Sequence, residues 1–292
     1  MKWEGRRQST NVNRSSGGGM RGGGMRTIGG LGGGGLILML ILSMIFGGNP
    51  LDMLTGGNPG GQHGQVQGEY TPRNAEEAQL EEFLSVVLAD TEDVWHDIFA
   101  QHGATYREPQ LTLYQDSVNS ACGFAQSNMG PFYCGGDETV YIDVAFAKDL
   151  RTTFGAKGDF PFAYVLAHEV GHHVQLLTGD LQKVQSLRGQ VSDVEFNNEM
   201  VKLELQADYY AGVVAHYLEN KGYLDPGDVQ EGMAAASGVG DDRIQEMQGG
   251  TANPDTFQHG SSEQRQRWFL NGYKYGDIEH GNTFSVEDSR DL

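Results

Sequence analysis

The sequence predicts an α+β fold, mainly helical with one small sheet, preceded by one transmembrane helix. Three observations point to it. Helical periodicity dominates the chain after residue 74, β-rich runs are short and confined to residues 111–144, and a charge-free stretch occupies residues 28–48.

Residues 1–27 are polar, basic and rich in glycine. They lack the apolar residues of a core and read as a disordered cytoplasmic arm. From Ile28 to Gly48 there is no charge, and the centre, Leu36 to Phe46, is strongly apolar. The stretch is about as long as a helix that crosses a bilayer. Three readings fit it: a signal anchor, a cleaved signal peptide, or a buried core helix. No small-residue cleavage site follows Phe46, and a glycine-rich arm and linker flank the stretch. The anchor is therefore the expectation. Basic residues hold the N-terminus in the cytoplasm and leave the rest periplasmic or extracellular. Residues 49–73, rich in Gly, Pro and Gln, read as a flexible linker, and residues 74–292 as the folded domain.

Within the domain, Glu76 to Phe99 is an amphipathic helix with a break expected near Asp90. Leu111–Tyr114, Gly123–Ala125 and Val140–Val144 read as strands. Phe160 to Leu177 is an apolar helix stopped by Gly179, and Val194 to Glu219 a long helix stopped by Gly222. Shorter helices are expected at 227–236, 241–248 and 261–275.

The net charge is −19, and the first 30 residues oppose it with six basic side chains against Glu4 alone. The acidic body would repel a phosphate backbone, which excludes nucleic acid as a partner. The only cysteines, Cys122 and Cys134, are too far apart for a CxxC pattern. They form either a disulfide, in an oxidising compartment, or two buried thiols. Closing so short a loop contributes about 3 kcal/mol.

Chemistry concentrates at His168-Glu-Val-Gly-His172. On a helix, positions i and i+4 share a face, so both imidazoles can grip one ion. Glu169, rotated by about 100°, can reach a metal-bound water without being a ligand. Catalytic zinc takes three protein ligands and keeps a position for water. The next long helix offers Glu204 as third ligand, with Asp208 one turn on to accept the second N–H of a histidine, most simply His168. Zinc, and not manganese or cobalt, is expected from these ligand types. Glu169 would act as general base. By elimination His259 is the candidate for stabilising the oxyanion, against an equally simple reading as a loop histidine beside a helix cap. His173 points about 100° away from His172 and reads as structural or at the cleft rim; His216 lies three turns beyond Glu204, too far for the same ion, and reads as packed or exposed.

Together, Ser120-Ala-Cys-Gly123, Gly130-Pro-Phe-Tyr-Cys134, Val140-Tyr-Ile-Asp143, His168-Glu-Val-Gly-His-His173, Glu204-Leu-Gln-Ala-Asp208 and Gln264-Arg-Gln-Arg-Trp-Phe269 resemble the bacterial neutral zinc metallopeptidases of the YpfJ-like group. More distantly, the chain is similar to gluzincin peptidases of the Ste24 and HtpX type. The resemblance implies a zincin-like, minigluzincin-like domain, a Zn2+ cofactor and protein or peptide substrates. It also implies that Asn119 to Ala125 is an edge strand binding extended substrate through Cys122, Gly123, Phe124 and Ala125. A Cys122–Cys134 disulfide would then brace the cleft. His259 to Arg265 resembles a later His-Pro…Arg element, with Gly260 in place of proline. The function expected is a membrane-anchored zinc peptidase acting on extracytoplasmic proteins. The alternatives are a zinc-stabilised binding module with vestigial activity and a zinc amidase acting on cell-wall peptides.

Overall fold

Helix α1 (Ala75–Gln101) starts at Asn74, whose side chain accepts from the Glu77 N–H. It runs unbroken through Asp90, where a break was expected, because that carboxylate is buried against the Arg6 guanidinium. The computed structural model describes residues 1–16, 71–126, 130–146 and 158–292. The expected membrane helix and nearly all of the linker lie outside the described residues. Among the described residues no helix is long and apolar enough to cross a membrane.

Residues 1–16 belong to the fold, which corrects the reading of a disordered arm. Their basic side chains meet acids on α1. Arg7 Nη1 lies 2.9 Å from Glu92 and its Nη2 2.7 Å from Asp93, while Arg14 Nε is 2.7 Å from Glu81. Glu81, Asp90 and Glu92 are all buried, and a buried carboxylate needs a partner. The Arg6 guanidinium also stacks 3.4 Å over the ring of Tyr223. Backbone bonds continue the attachment, Lys2 N–H to Tyr223 O at 2.8 Å and Ser9 N–H to Ser85 O at 2.9 Å. Composition hides all this, because basic polar arms are ordinarily solvated.

The arm ends in strand β1 (Val12–Ser16), which pairs parallel with β2 (Gln110–Gln115), Val12 opposite Leu111. β2 pairs parallel with β6 (Thr139–Asp143), and β6 antiparallel with β5 (Phe132–Cys134). The sheet order is β1-β2-β6-β5. β3 (Ser117–Ser120) and β4 (Gly123–Gln126) form a separate hairpin. The Cys122–Cys134 disulfide ties its turn to β5, with the Cα atoms 5.8 Å apart.

Helix α2 (Phe160–Thr178) carries the His-Glu-Val-Gly-His motif. Pro161 sits in its first turn, and Gly179, in the left-handed region, ends it by donating to Gln175 O. A short α3 (Asp180–Ser186) leads to α4 (Asp193–Asn220), capped by Ser192. Then come α5 (Asp228–Gly238), α6 (Asp241–Met247) and α7 (Ser262–Tyr275), the last opened by a Ser261–Gln264 capping box.

Glycines set the approach of these helices. A Cβ on Gly171 would lie 3.1 Å from Ala207 of α4, so the glycine inside the motif lets α2 close onto α4. A Cβ on Gly272 would lie 1.9 Å from the Tyr209 carbonyl oxygen, so α7 also rests directly on the α4 backbone. Gly272→Ala is expected to push α7 outward at a cost of about 1–3 kcal/mol. Thermal unfolding of the full chain should show a Tm lower by about 2–10 °C; an unchanged Tm would mean that this contact relaxes freely.

Candidate metal centre

The closeness of α2 and α4 brings three donor groups together. His168, His172 and Glu204 each offer a ligand atom within 4.8 Å of the other two, and all three are buried. His168 Nε2 lies 3.2 Å from Glu204 Oε2, and His172 Nε2 3.4 Å from Glu204 Oε1. The other ring nitrogens are occupied. His168 Nδ1–H donates to Asp208 Oδ1 at 2.8 Å, and His172 Nδ1–H to Gln175 Oε1 at 2.8 Å. Gln175 is fixed in turn by donating to Leu203 O and to Gln206 Oε1. Both Nε2 atoms therefore face Glu204, as two imidazoles sharing an ion with a carboxylate must.

The residues fit zinc. Two imidazole nitrogens and one carboxylate form the donor set of a catalytic zinc site with an open position. Glu204 Oε1 and Glu169 Oε2 are buried without a hydrogen bond, which is what a cation and its water would satisfy. Without the cation, burial pushes the Glu169 carboxyl up to about 7, only partly opposed by the nearby His168. Burial drives His172 down to about 4. It works against protonation of His168 too, but Asp208 and Glu204 hold that imidazole up to about 10. Glu204 lies below the usual carboxylate range, where His172 and His259 overcome its burial.

Zinc binding is therefore expected to displace a proton from His168. At pH 8, where His172 is already neutral and Glu169 largely ionised, calorimetry in buffers of different ionisation enthalpy should register about one proton released per zinc bound. Affinity should fall on the order of tenfold per pH unit on acidification. No proton release would show that His168 is neutral before metal arrives.

A buried network stands behind His168. Arg265 of α7 donates from Nε to Asp208 Oδ2 at 2.7 Å and from Nη2 to Asp208 Oδ1 at 2.9 Å. The Tyr164 hydroxyl donates to Asp208 Oδ1 at 2.6 Å and accepts from Arg265 Nη2 at 3.1 Å. His259 is buried, with Nδ1 3.2 Å from Asp241 Oδ1. Asp241 Oδ2 accepts the backbone N–H groups of Gln258, His259 and Gly260, so this one carboxylate shapes the whole His259 loop. Burial disfavours the charged form of His259, but Asp241 and Glu204 raise its pKa.

These observations meet an independent one. Residues 1–284 match the family described as "Putative neutral zinc metallopeptidase". The chain belongs to this family. It is 43% identical to the "Uncharacterized protein YpfJ" of Escherichia coli strain K12 over 288 residues, 97% of this chain and 99% of that one. It is 46% identical to the "Uncharacterized protein Mb2605" of Mycobacterium bovis over 196 residues, 63% of this chain and 64% of that one. No solved structure matches. Family membership implies zinc, and the three donor groups on α2 and α4 are the candidate site for it.

The residues expected to bind substrate lie in the β3–β4 hairpin. Cys122 and Ala125 pack in a small apolar cluster with Tyr114, Val118, Phe132, Cys134 and Tyr141, whereas Phe124 is exposed. β4 pairs with β3 on one edge, and among the described residues no strand pairs with its other edge. His173 is structural: its Nε2–H donates to Arg107 O and its Nδ1 accepts from the Tyr133 hydroxyl. His216 bonds the Tyr273 carbonyl. The sequence reading missed Tyr164, Gln175 and Asp241 and assigned Arg265 no contact. A signal existed for two of them: Tyr164 stands four residues before His168 and Gln175 three after His172, on the same helix face.

Proposed function

We propose that this chain is a zinc-dependent peptidase that hydrolyses peptide bonds of extracytoplasmic proteins and attaches to the membrane through residues 28–48. The carrying observation is the buried His168, His172 and Glu204 cluster with the unpartnered Glu169 carboxylate beside it. When bound, zinc supplies a Lewis acid that acidifies its water and polarises the scissile carbonyl. Glu169 would take a proton from the attacking water at Oε2 and pass it to the leaving amine. His259, held by Asp241, donates to the oxyanion. An extended peptide adds to β4 at Gly123 to Ala125, on the side away from β3, through main-chain hydrogen bonds. The disulfide favours an oxidising compartment.

The test is metal content together with casein cleavage by the full chain, wild type beside Glu204→Ala. One zinc per wild-type chain is expected, with metal and cleavage both lost in the variant. Zinc retained by Glu204→Ala would remove Glu204 from the ligand set. Purified cell wall digested in parallel distinguishes an amidase: cleavage there and none of casein would redirect the substrate class.

A further inference from the structure

The two histidines of the donor cluster are backed by groups of different chemistry. Behind His168 stands Asp208, and an ionised carboxylate can only accept a hydrogen bond. Behind His172 stands Gln175, whose amide can turn either an acceptor or a donor toward the ring. Something must choose which end of that amide faces His172.

The choice is made from α4. The far end of the Gln175 amide lies 2.6 Å from Leu203 O, and a backbone carbonyl only accepts. That end must be the NH2 group. It also lies 2.9 Å from the Gln206 side chain, whose own far end meets a second carbonyl, Gly281 O, at 3.3 Å. Two carbonyls thus set the direction of both amides. Gln206 turns its oxygen to Gln175, and Gln175 turns its oxygen to His172 Nδ1, 2.8 Å away. A reversed Gln175 would set oxygen against oxygen at Leu203. Both glutamines are buried, so no water would relieve that contact.

The ring must therefore carry its hydrogen on Nδ1. The lone pair of the neutral imidazole is then on Nε2, which faces Glu204 Oε1 at 3.4 Å. Leu203 directly precedes Glu204, so the same amide also joins the ring of a donor on α2 to the backbone beside the donor on α4. A carboxylate in place of the amide would bring no donor to Leu203 O.

We infer that Gln175 is a positioning residue of the metal centre: it selects the His172 tautomer able to bind zinc and holds that ring to the Glu204 segment of α4. The carbonyls of Leu203 and Gly281 give the selection its direction. The inference rests on the His168, His172 and Glu204 site and not on peptide hydrolysis.

The test uses the full chain with 15N-labelled histidine, freed of metal by a chelator, at pH 8. Long-range proton–nitrogen correlation separates the two tautomers, and the His172 signals are those missing from His172→Gln. The proton is expected on Nδ1. A proton on Nε2, in place of Nδ1 or beside it, would overturn the inference whether or not zinc binds. Gln175→Met keeps the length of the side chain and removes the amide. His172 should then lose its single tautomer, and zinc affinity, read by competition with a chromophoric chelator, should fall about 10–100-fold. A lower Tm with tautomer and zinc affinity both unchanged would make Gln175 a packing residue and overturn the inference. The wild-type spectrum decides the tautomer even where the variant fails to fold. The Nδ1 proton in a wild-type chain that binds no zinc would overturn the metal site and leave the selection of the tautomer standing.

Discussion

Glu169→Gln is expected to abolish peptide hydrolysis while leaving the metal in place. The amide keeps the shape of the carboxylate but cannot take a proton from water. Glu169 is buried, its Oε2 makes no hydrogen bond, and it is not among the three donor groups that could hold an ion. Neither the fold nor the metal depends on its charge. A positioned general base contributes about 10²–10⁴-fold, so cleavage should fall by at least about a hundredfold while zinc stays near one per chain. Metal analysis beside a cleavage assay decides it. A variant that cleaves within about tenfold of wild type would show that the base lies elsewhere. Loss of zinc together with activity would make Glu169 a ligand.

The second large effect is expected from Arg265→Met, which touches neither metal nor substrate. Asp208 is wholly buried and ionised, and Arg265 lies against both of its oxygens. Burial by itself would favour the protonated acid, and it is chiefly the Arg265 charge that keeps the carboxyl below its ordinary range. Without the guanidinium, the Tyr164 and His168 donors alone must hold the charge. Breaking a buried pair from one side costs about 3–5 kcal/mol, which lowers Tm by about 6–20 °C in a domain of this size. Zinc should protect this variant from heat by a smaller increment than it protects wild type, because His168 loses its firm backing. A Tm within about 2 °C of wild type would show that Asp208 becomes neutral with little penalty. Arg265→Lys is not expected to restore the loss, since an ammonium cannot bond both oxygens in one plane.

How far the sequence could be read depended on how local each signal was. The motif on α2 and its two partners on α4 follow from i and i+4 spacing along single helices, so His168, His172, Glu204 and Asp208 could be named, and the structure sets them side by side. Apart from the short α3, the helices from residue 160 onward were legible for the same reason, with Gly179 as a stop. Arg265 and Asp241 were not, because their partners lie 57 and 18 residues away and no periodicity links them. β1 was hidden more deeply. Val12-Asn-Arg-Ser-Ser16 holds a single apolar residue, and its place in the sheet comes from an open strand edge and from buried acids on α1 that only the assembled fold presents. The break expected at Asp90 failed on the same account: an acid amid apolar residues reads as an interruption until the arginine that neutralises it is in view.

The seating of β1 also bears on the order in which the chain matures. Synthesis delivers Val12–Ser16 about a hundred residues before the strand that receives them, and closing a loop of that length costs about 4 kcal/mol of chain entropy. The earliest strand is thus among the last to find its place. Until it does, Leu111 and Leu113 lie on an open edge of β2, where a neighbouring chain could pair instead. The arginines of the arm carry charge opposite to the acids of α1 that they meet in the fold, an attraction that favours docking of the arm over pairing with a neighbouring chain.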